Sequence, residues 1–187
     1  KLKIISNKGY GKILETSSGD RIIFYHVHFM WRPDASESYY TNYSPHDIEQ
    51  RFMGKKGGKN NKVRWNQYNR LLKHIGVKPY QSNECDYPTI IVGDFNEPSH
   101  LDWTAKSANI HNPSGDRPIF KMRKIKLPIS SDLEKRGFID SYREKHSDEI
   151  SKRGITYPSN ITNRDVNVRI DYIYHNNHPK MILKDIL

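Results

Sequence analysis

The alternation of apolar and polar positions predicts a β-hairpin near the start of the chain. Apolar residues alternate loosely over positions 1–6 and 13–16, and turn-forming residues follow at 17–20. The next segment, residues 21–29, reads Arg-Ile-Ile-Phe-Tyr-His-Val-His-Phe and is rich in β-branched and aromatic side chains. We therefore predict a hairpin whose second strand is long and buried.

No apolar period runs through residues 31–62, which are rich in Pro, Ser, Tyr, Asn and Gly and end in a basic run. A long stretch without structure inside a domain is usually functional or disordered. We interpret residues 31–64 as a flexible basic insertion, whose basic part at 55–64 either grips a polyanion or is simply solvated. Helical spacing of apolar residues resumes directly after it, at Trp65, Tyr68, Leu71, Leu72 and Ile75.

The second half of the chain predicts three more strands and two more helices. Strands are expected at residues 88–93, where a continuous apolar run predicts burial on both faces, and at 154–157 and 168–174. Helices are expected at residues 101–108, capped by Ser99, and at 127–136. Strands with interspersed helices and long loops predict an α/β or α+β layered domain.

Length and composition fit one domain. The chain has 187 residues, 35% of them hydrophobic, and shows no internal repeat. No apolar run approaches the ~20 residues of a membrane-spanning helix. The single cysteine, Cys85, excludes a disulfide within the chain and a thiolate metal cluster, and it leaves the compartment open. Because the chain begins at Lys1 instead of Met, we expect a processed product or part of a longer protein.

The excess of positive charge narrows the range of partners. The chain carries 31 Lys and Arg against 21 Asp and Glu, a formal charge of +10. Such an excess favours anionic partners: nucleic acid, phospholipid headgroups or phosphorylated small molecules. A lysine-rich composition without a binding role explains the same excess, and composition alone does not separate the two. No specific protein partner is indicated.

The strongest chemical signal is the segment Gly93-Asp94-Phe95-Asn96, which ends the apolar run. In an extended backbone, Asp94 and Asn96 point to the same side. The Asp carboxylate is a hard oxygen ligand for Mg²⁺ or a holder of water. The Asn side chain offers a carbonyl to a metal and an amide group to phosphate. An ordinary Asp/Asn turn at the end of a strand is the alternative.

Weaker signals come from two other predicted strands. His26 and His28 are two residues apart, so they face one side of a strand and could bind metal or phosphate. Asp171 lies in an apolar strand, where a buried carboxylate needs a partner: a catalytic histidine or, more simply, a cation such as Arg169. Arg169 is also a candidate for binding substrate phosphate. A zinc site around His26, His28 and His100 is a third possibility.

Taken in order, these segments resemble the endonuclease/exonuclease/phosphatase (DNase I-like) superfamily. Residues 93–96 match its Gly-Asp-Phe-Asn signature, and residues 169–172 match its later Arg-Ile-Asp-Tyr strand. Residues 137–143 resemble the Gly-Phe-Asp-Arg segment between them. His28 stands where many members have the His of Asn-Thr-His-Leu. The four matches keep the order of the superfamily over residues 20–175.

The resemblance implies a four-layer α/β sandwich, two packed β-sheets with helices outside, and a phosphoester hydrolase that uses Mg²⁺ or Mn²⁺. Water would attack phosphorus in line, in a nucleic-acid or phospholipid diester ahead of a soluble monoester. Asp94 would bind metal and orient or deprotonate that water, and Asn96 would bind metal or phosphate. His28 would stabilise charge on the phosphoryl oxygens, and Asp171 would hold a catalytic histidine in its productive tautomer.

Two motifs of the superfamily are not found in the sequence. They are the metal-binding Glu upstream of the hairpin and the Ser-Asp-His segment after the Arg-Ile-Asp-Tyr strand. We therefore expect residues 1–187 to be a single domain, incomplete at both ends and poorly active alone. The competing interpretation is a non-catalytic or truncated domain that binds anions. An enzyme would lose turnover with a chelator or Asp94→Ala, whereas a binding module has none to lose.

Overall fold

A mixed β-sheet forms the centre of the molecule. Its first three strands are antiparallel neighbours in chain order: β1 (Lys3–Lys8), β2 (Gly11–Glu15) and β3 (Arg21–His28). The predicted hairpin is confirmed as the β2–β3 pair, joined by a turn in which the backbones of Thr16 and Asp20 hydrogen-bond. The structure is a computed structural model that describes residues 1–8, 11–33, 43–76, 87–107, 126–157 and 167–186.

Three strands from later in the chain complete the sheet. β4 (Thr89–Asp94) runs parallel to β3, β6 (Asp171–Asn176) antiparallel to β4, and β5 (Phe138–Asp140) antiparallel to β6. The strand order is therefore β1-β2-β3-β4-β6-β5. The strand predicted at 168–174 begins later than expected. The strand predicted at 154–157 is wrong, because only an isolated bridge joins Tyr157 to Val168.

Four helices are seen in the described part of the chain: α1 (Pro45–Phe52), α2 (Lys59–Ile75), α3 (Pro128–Lys135) and α4 (Ser141–Lys145). α2 and α3 confirm two predicted helices. Within the insertion predicted at 31–64, residues 45–52 and 59–64 are helical, which corrects the expectation of an unstructured stretch there; residues 34–42 lie outside the described ranges. Local capping explains the difference, since the Ser44 hydroxyl accepts the Asp47 N–H at the start of α1.

The helix predicted at residues 101–108 does not form over residues 101–107, and position 108 lies outside the described ranges. The Ser99 hydroxyl accepts the Leu101 N–H, as a helix cap would. The Ser107 hydroxyl then donates to the carbonyl of Asp102 and closes a compact loop. Polar side chains that bond to nearby backbone groups compete in this way with helix formation.

The two faces of the sheet differ in their cover. On one face, side chains such as Tyr25, Ile91 and Tyr174 are buried against α2 and α3. The opposite face, here called the open face, carries Phe24, His26, His28, Ile90, Val92, Asp94, Asp171 and Ile173. Its apolar side chains stay partly exposed, Ile173 to 42%. The predictions that β3 is buried and that β4 is covered on both faces are therefore wrong for this face, while the α/β class is confirmed.

None of the helices in the described part of the chain combines the length and the apolar composition needed to cross a bilayer.

Candidate active site

The ends of three adjacent strands bring three polar side chains into one row on the open face. His28 pairs with Asp94 in the parallel β3–β4 ladder, and Asp94 pairs with Asp171 in the antiparallel β4–β6 ladder. Directly paired residues on neighbouring strands point to the same face of a sheet. The structure therefore brings together three residues that the sequence singled out in three separate segments.

Asn96 joins this row through the turn that follows β4. Its backbone N–H donates to Asp94 Oδ1 (2.8 Å), and its Nδ2 donates to Asp94 Oδ2 (3.0 Å) and to the carbonyl of Phe29 (2.8 Å). The φ angle of Asn96 is 50°, a left-handed conformation in which Asn is several-fold enriched. No hydrogen bond from another described residue reaches its Oδ1, so this oxygen is open to a ligand.

The Asp94 carboxyl is partly buried between two titratable neighbours. Burial raises the pKa of Asp94 above the ordinary aspartate value, and the Asp171 carboxylate raises it further. The hydrogen bonds from Asn96 and the nearby His28 lower this pKa. The Nε2 atom of His28 lies 3.6 Å from Asp94 Oδ2. A carboxylate with a raised pKa beside an exposed imidazole is suited to accepting a proton from water.

Asp171 is exposed, which corrects the expectation of a buried carboxylate. Its backbone N–H donates to Thr156 Oγ1. Across the described ranges, no hydrogen bond or ion pair joins its carboxylate to a histidine or to Arg169. The reason is its position at the first residue of β6, where the side chain reaches solvent. The histidine expected beside Asp171 therefore stays a prediction.

Arg169 lies in the interior and not in the row. Its side chain is 3% exposed, and its guanidinium donates to both carboxylate oxygens of Asp102 and of Asp140. Arg143 donates to Asp102 as well. Two arginines and two carboxylates thus satisfy one another in the interior. Arg169 has a structural role here, in place of the expected phosphate contact or ion pair with Asp171. No pattern in the sequence indicated Asp102 or Arg143 as its partners.

The two remaining histidine candidates lie apart from each other. His26 is exposed on the open face, one pleat away from the row. His100 is buried, with Nδ1 2.9 Å from the Ser130 hydroxyl and Nε2 2.8 Å from a carboxylate oxygen of Glu134. The three-histidine zinc site considered from the sequence is therefore not assembled. In the described part of the chain, no group of three His, Cys, Asp or Glu side chains is arranged to hold a metal ion.

α2 supports the row from beneath through Arg64 and Gln67. Arg64 is fully buried, and one guanidinium nitrogen contacts the carbonyl oxygens of Met30, Trp31 and Asn96. Gln67 Oε1 accepts the backbone N–H of Met30 (2.7 Å). The loops after β3 and β4 are therefore tied to one helix. Sequence reasoning missed this support because Arg64 stands at the end of the stretch interpreted as a flexible basic insertion.

Glu97 is buried directly behind Asn96. Its Oε2 lies 3.6 Å from Arg64 Nε, and its Oε1 accepts the Ile129 N–H at the start of α3 (2.8 Å). Burial raises the pKa of Glu97 to about 7, although the Arg64 guanidinium lowers it. This side chain links the turn that carries Asn96 to α3.

The chain is similar to an uncharacterized worm protein and, weakly, to a solved phosphatase structure. No family model matches the chain. An uncharacterized protein of Caenorhabditis elegans is 31% identical over 147 residues, which cover 73% of this chain and 44% of the worm protein. The chain thus spans less than half the length of that relative. Among solved structures, the 3′ phosphatase NExo from Neisseria, bound to a product DNA hairpin, aligns with a TM-score of 0.39 and 12% identity. That alignment covers 95% of this chain and 57% of the phosphatase, and a similarity this weak assigns neither a family nor a function to the chain.

Proposed function

We propose that this chain is part of a metal-dependent phosphoester hydrolase of the endonuclease/exonuclease/phosphatase superfamily. The observation that carries the proposal is the row of His28, Asp94 and Asp171, with Asn96 hydrogen-bonded to Asp94. These residues come from three separate motifs that resemble the superfamily. Motifs that matched by chance would have no reason to meet at one edge of a sheet.

The proposal includes the four-layer sandwich, in which a second β-sheet covers the open face. Phe24, Ile90 and Val92 are half-buried on that face, and Ile173 is exposed. A sheet face that carries a block of apolar side chains is stable when another layer covers it. The row of polar residues would then lie at one end of the interface between the two sheets, where a substrate can enter.

In this proposal, Asp94, Asp171 and Asn96 would together hold a hard divalent cation such as Mg²⁺ or Mn²⁺. The carboxylates of Asp94 and Asp171 and the Oδ1 atom of Asn96 are oxygen donors of the kind these ions prefer. Burial is the main cause of the raised pKa of Asp94, the Asp171 carboxylate raises it further, and a cation would offset the repulsion between the two carboxylates. When bound, such an ion supplies positive charge to phosphoryl oxygens and favours the ionisation of water.

The other steps fall to the residues of the chain itself. The Asp94 carboxylate would orient the attacking water and accept its proton, a role that its raised pKa favours. Asn96, held in place by Asp94 and Phe29, would bind metal or phosphate. The exposed His28 would donate a hydrogen bond to the phosphoryl oxygens and stabilise their growing negative charge. Asp171 would orient the histidine that the superfamily places beside it.

Turnover by the full-length protein tests the proposal. Three substrates would be compared in Mg²⁺ and in EDTA: a single-stranded oligonucleotide, a dispersed phospholipid and a nucleoside monophosphate. Asp94→Asn is expected to lower turnover by about a hundredfold to ten-thousandfold, the usual contribution of one acid–base group. Asp148→Asn, which removes an exposed carboxylate paired with Lys106, is the matched control and should leave turnover unchanged. Full turnover by Asp94→Asn in EDTA would refute the proposal.

The competing proposal is a domain of the same fold that binds anions without turnover. Its support is Asp171, whose carboxylate contacts no histidine within the described ranges. Under this alternative, the wild-type protein and Asp94→Asn would both bind a polyanion. Neither would hydrolyse any of the three substrates, with or without a metal ion.

A further inference from the structure

The loop that follows β3 carries an exposed aromatic and cationic pair. Trp31 is 50% exposed, and the guanidinium carbon of Arg32 lies 4.4 Å from the centroid of its indole ring. Of the other two tryptophans, Trp65 is half-buried and Trp103 is buried. Trp31 therefore offers an indole face to a partner, whereas the other two tryptophans pack inside the protein.

This pair is held beside the proposed catalytic row. Trp31 follows His28 by three positions, and Arg64 contacts the carbonyl oxygens of both Trp31 and Asn96. Because one guanidinium nitrogen reaches both carbonyls, the two backbones lie within a few ångströms of each other. Gln67 fixes the same loop by accepting the N–H of Met30. The position of Trp31 is therefore set by the helix that also supports Asn96.

Flat rings and guanidinium planes are the groups on which nucleobases stack. Indole and arginine planes bind bases with little regard to sequence, since every base has a π-face. A phosphate held at His28 and Asn96 would place the attached nucleotide next to this loop. Trp31 and Arg32 would then contact a part of the substrate that a phospholipid lacks.

At this loop, Trp31 and Arg32 present one aromatic ring and one guanidinium group to solvent. Insertion into a lipid surface needs a wider apolar area around the aromatic ring. A polyanion whose bases stack on an indole ring and a guanidinium plane fits this pair better.

We propose that Trp31 and Arg32 form a stacking platform for a base of single-stranded nucleic acid, next to the phosphate held by the catalytic row. The proposal rests on the proposed function for the place of that phosphate. It names nucleic acid as the substrate class and makes Trp31 a specificity-determining residue. A phospholipid surface is the alternative partner and enters the test as such.

Binding without turnover tests the platform separately from the chemistry. The full-length protein carrying Asp94→Asn would be titrated in EDTA with a fluorescent thymidine oligonucleotide. The same titration would use an abasic deoxyribose-phosphate oligomer of equal length and charge, and vesicles of phosphatidylserine. Trp31→Ala and Trp31→Phe would be introduced into this background. Tyr87→Ala is the matched control, because Tyr87 is an exposed aromatic residue at the opposite end of β4.

The expected result is a preference for the base-bearing oligomer that depends on Trp31. One stacked base is worth about tenfold in affinity, so Trp31→Ala should remove about a tenfold preference, while Trp31→Phe and Tyr87→Ala keep it. Equal binding of both oligomers by the parent protein would overturn the proposal, as would a preference that survives Trp31→Ala. Tighter, Trp31-dependent binding to the vesicles would overturn it in favour of lipid. Hydrolysis assays give results that are independent of these affinities. The hydrolase function and the stacking platform can therefore be refuted one without the other.

Discussion

Gly93 lies so close to Val27 that a Cβ atom at position 93 would overlap the carbonyl oxygen of Val27. The φ angle of Gly93 is 134°, a value that side-chain-bearing residues rarely adopt. The last residues of β4 can therefore pair with β3 only because position 93 lacks a side chain. This contact sets the place of Asp94, the next residue along the strand.

Gly93→Ala should destabilise the protein more than Gly19→Ala. Gly19 also has a positive φ (83°), but nothing lies near its missing Cβ, so alanine there costs only about 1–2 kcal/mol of backbone strain. At position 93, overlap with backbone atoms adds a further cost of about 1–3 kcal/mol. Urea unfolding followed by circular dichroism measures both. Equal losses in the two variants would show that the contact with Val27 is relieved without cost.

Arg169→Lys should be strongly destabilising although it keeps the charge. Lysine cannot supply the fork of donors that reaches both Asp102 and Asp140, so buried carboxylate oxygens would lose their partners. We expect a loss of about 3–5 kcal/mol in the free energy of unfolding. Arg21→Lys is the control, because Arg21 pairs with Glu15 at the surface and such pairs contribute about 0–1 kcal/mol. A small effect at both positions would contradict the structural role of Arg169.

Glu97→Gln should change how stability depends on pH. Because the pKa of Glu97 is raised to about 7 from 4.5, its stabilising contribution is complete below pH 4.5 and is lost as the pH rises through 7. The wild-type free energy of unfolding should therefore fall by about 2–3 kcal/mol over this range relative to Glu97→Gln. Urea titrations at about pH 5 and pH 8 measure the difference. Parallel behaviour of the two proteins would show that Arg64 keeps Glu97 ionised throughout.

Arg64→Met should lower turnover more than it affects substrate binding. Methionine fills similar space but leaves the carbonyls of Trp31 and Asn96 without the donor that aligns them. A displacement of Asn96 of about 1 Å would cost on the order of a hundredfold in kcat. Arg70→Met is the control, since Arg70 is exposed on the same helix. An unchanged kcat in a folded Arg64→Met protein, together with an unchanged KM, would remove Arg64 from the positioning of the site.

The neighbours in the row could be predicted from the sequence because each stands at one end of a recognisable strand: His28 and Asp94 end theirs, and Asp171 begins its own. The order of the motifs predicted that His28, Asp94 and Asp171 belong together, and the register of β3, β4 and β6 makes them cross-strand partners. For Asn96, the predicted position was right but the predicted backbone conformation was not. An extended strand was expected to place Asn96 beside Asp94, whereas a turn with Asn96 in the left-handed conformation places it there.

The support beneath the row could not be predicted, because its partners are remote in sequence. Arg64 meets Asn96, and Arg169 meets Asp102, only after the sheet and helices have packed. The start of α1, in contrast, could have been predicted from local sequence. Ser44 followed by proline and by Asp47 is typical of a helix start, but the surrounding basic and glycine-rich composition led to the prediction of an unstructured segment.

The parallel pairing of β3 with β4 also has a consequence for the order of folding. The β1–β2 and β2–β3 pairings are local, whereas His28 meets Asp94 only after the chain has passed through α1 and α2. Pairings between distant residues form slowly, because a large loop must close before they are made. A refolding chain therefore gains its hairpins early, and it brings His28, Asp94 and Asp171 together late, when the two halves of the sheet join.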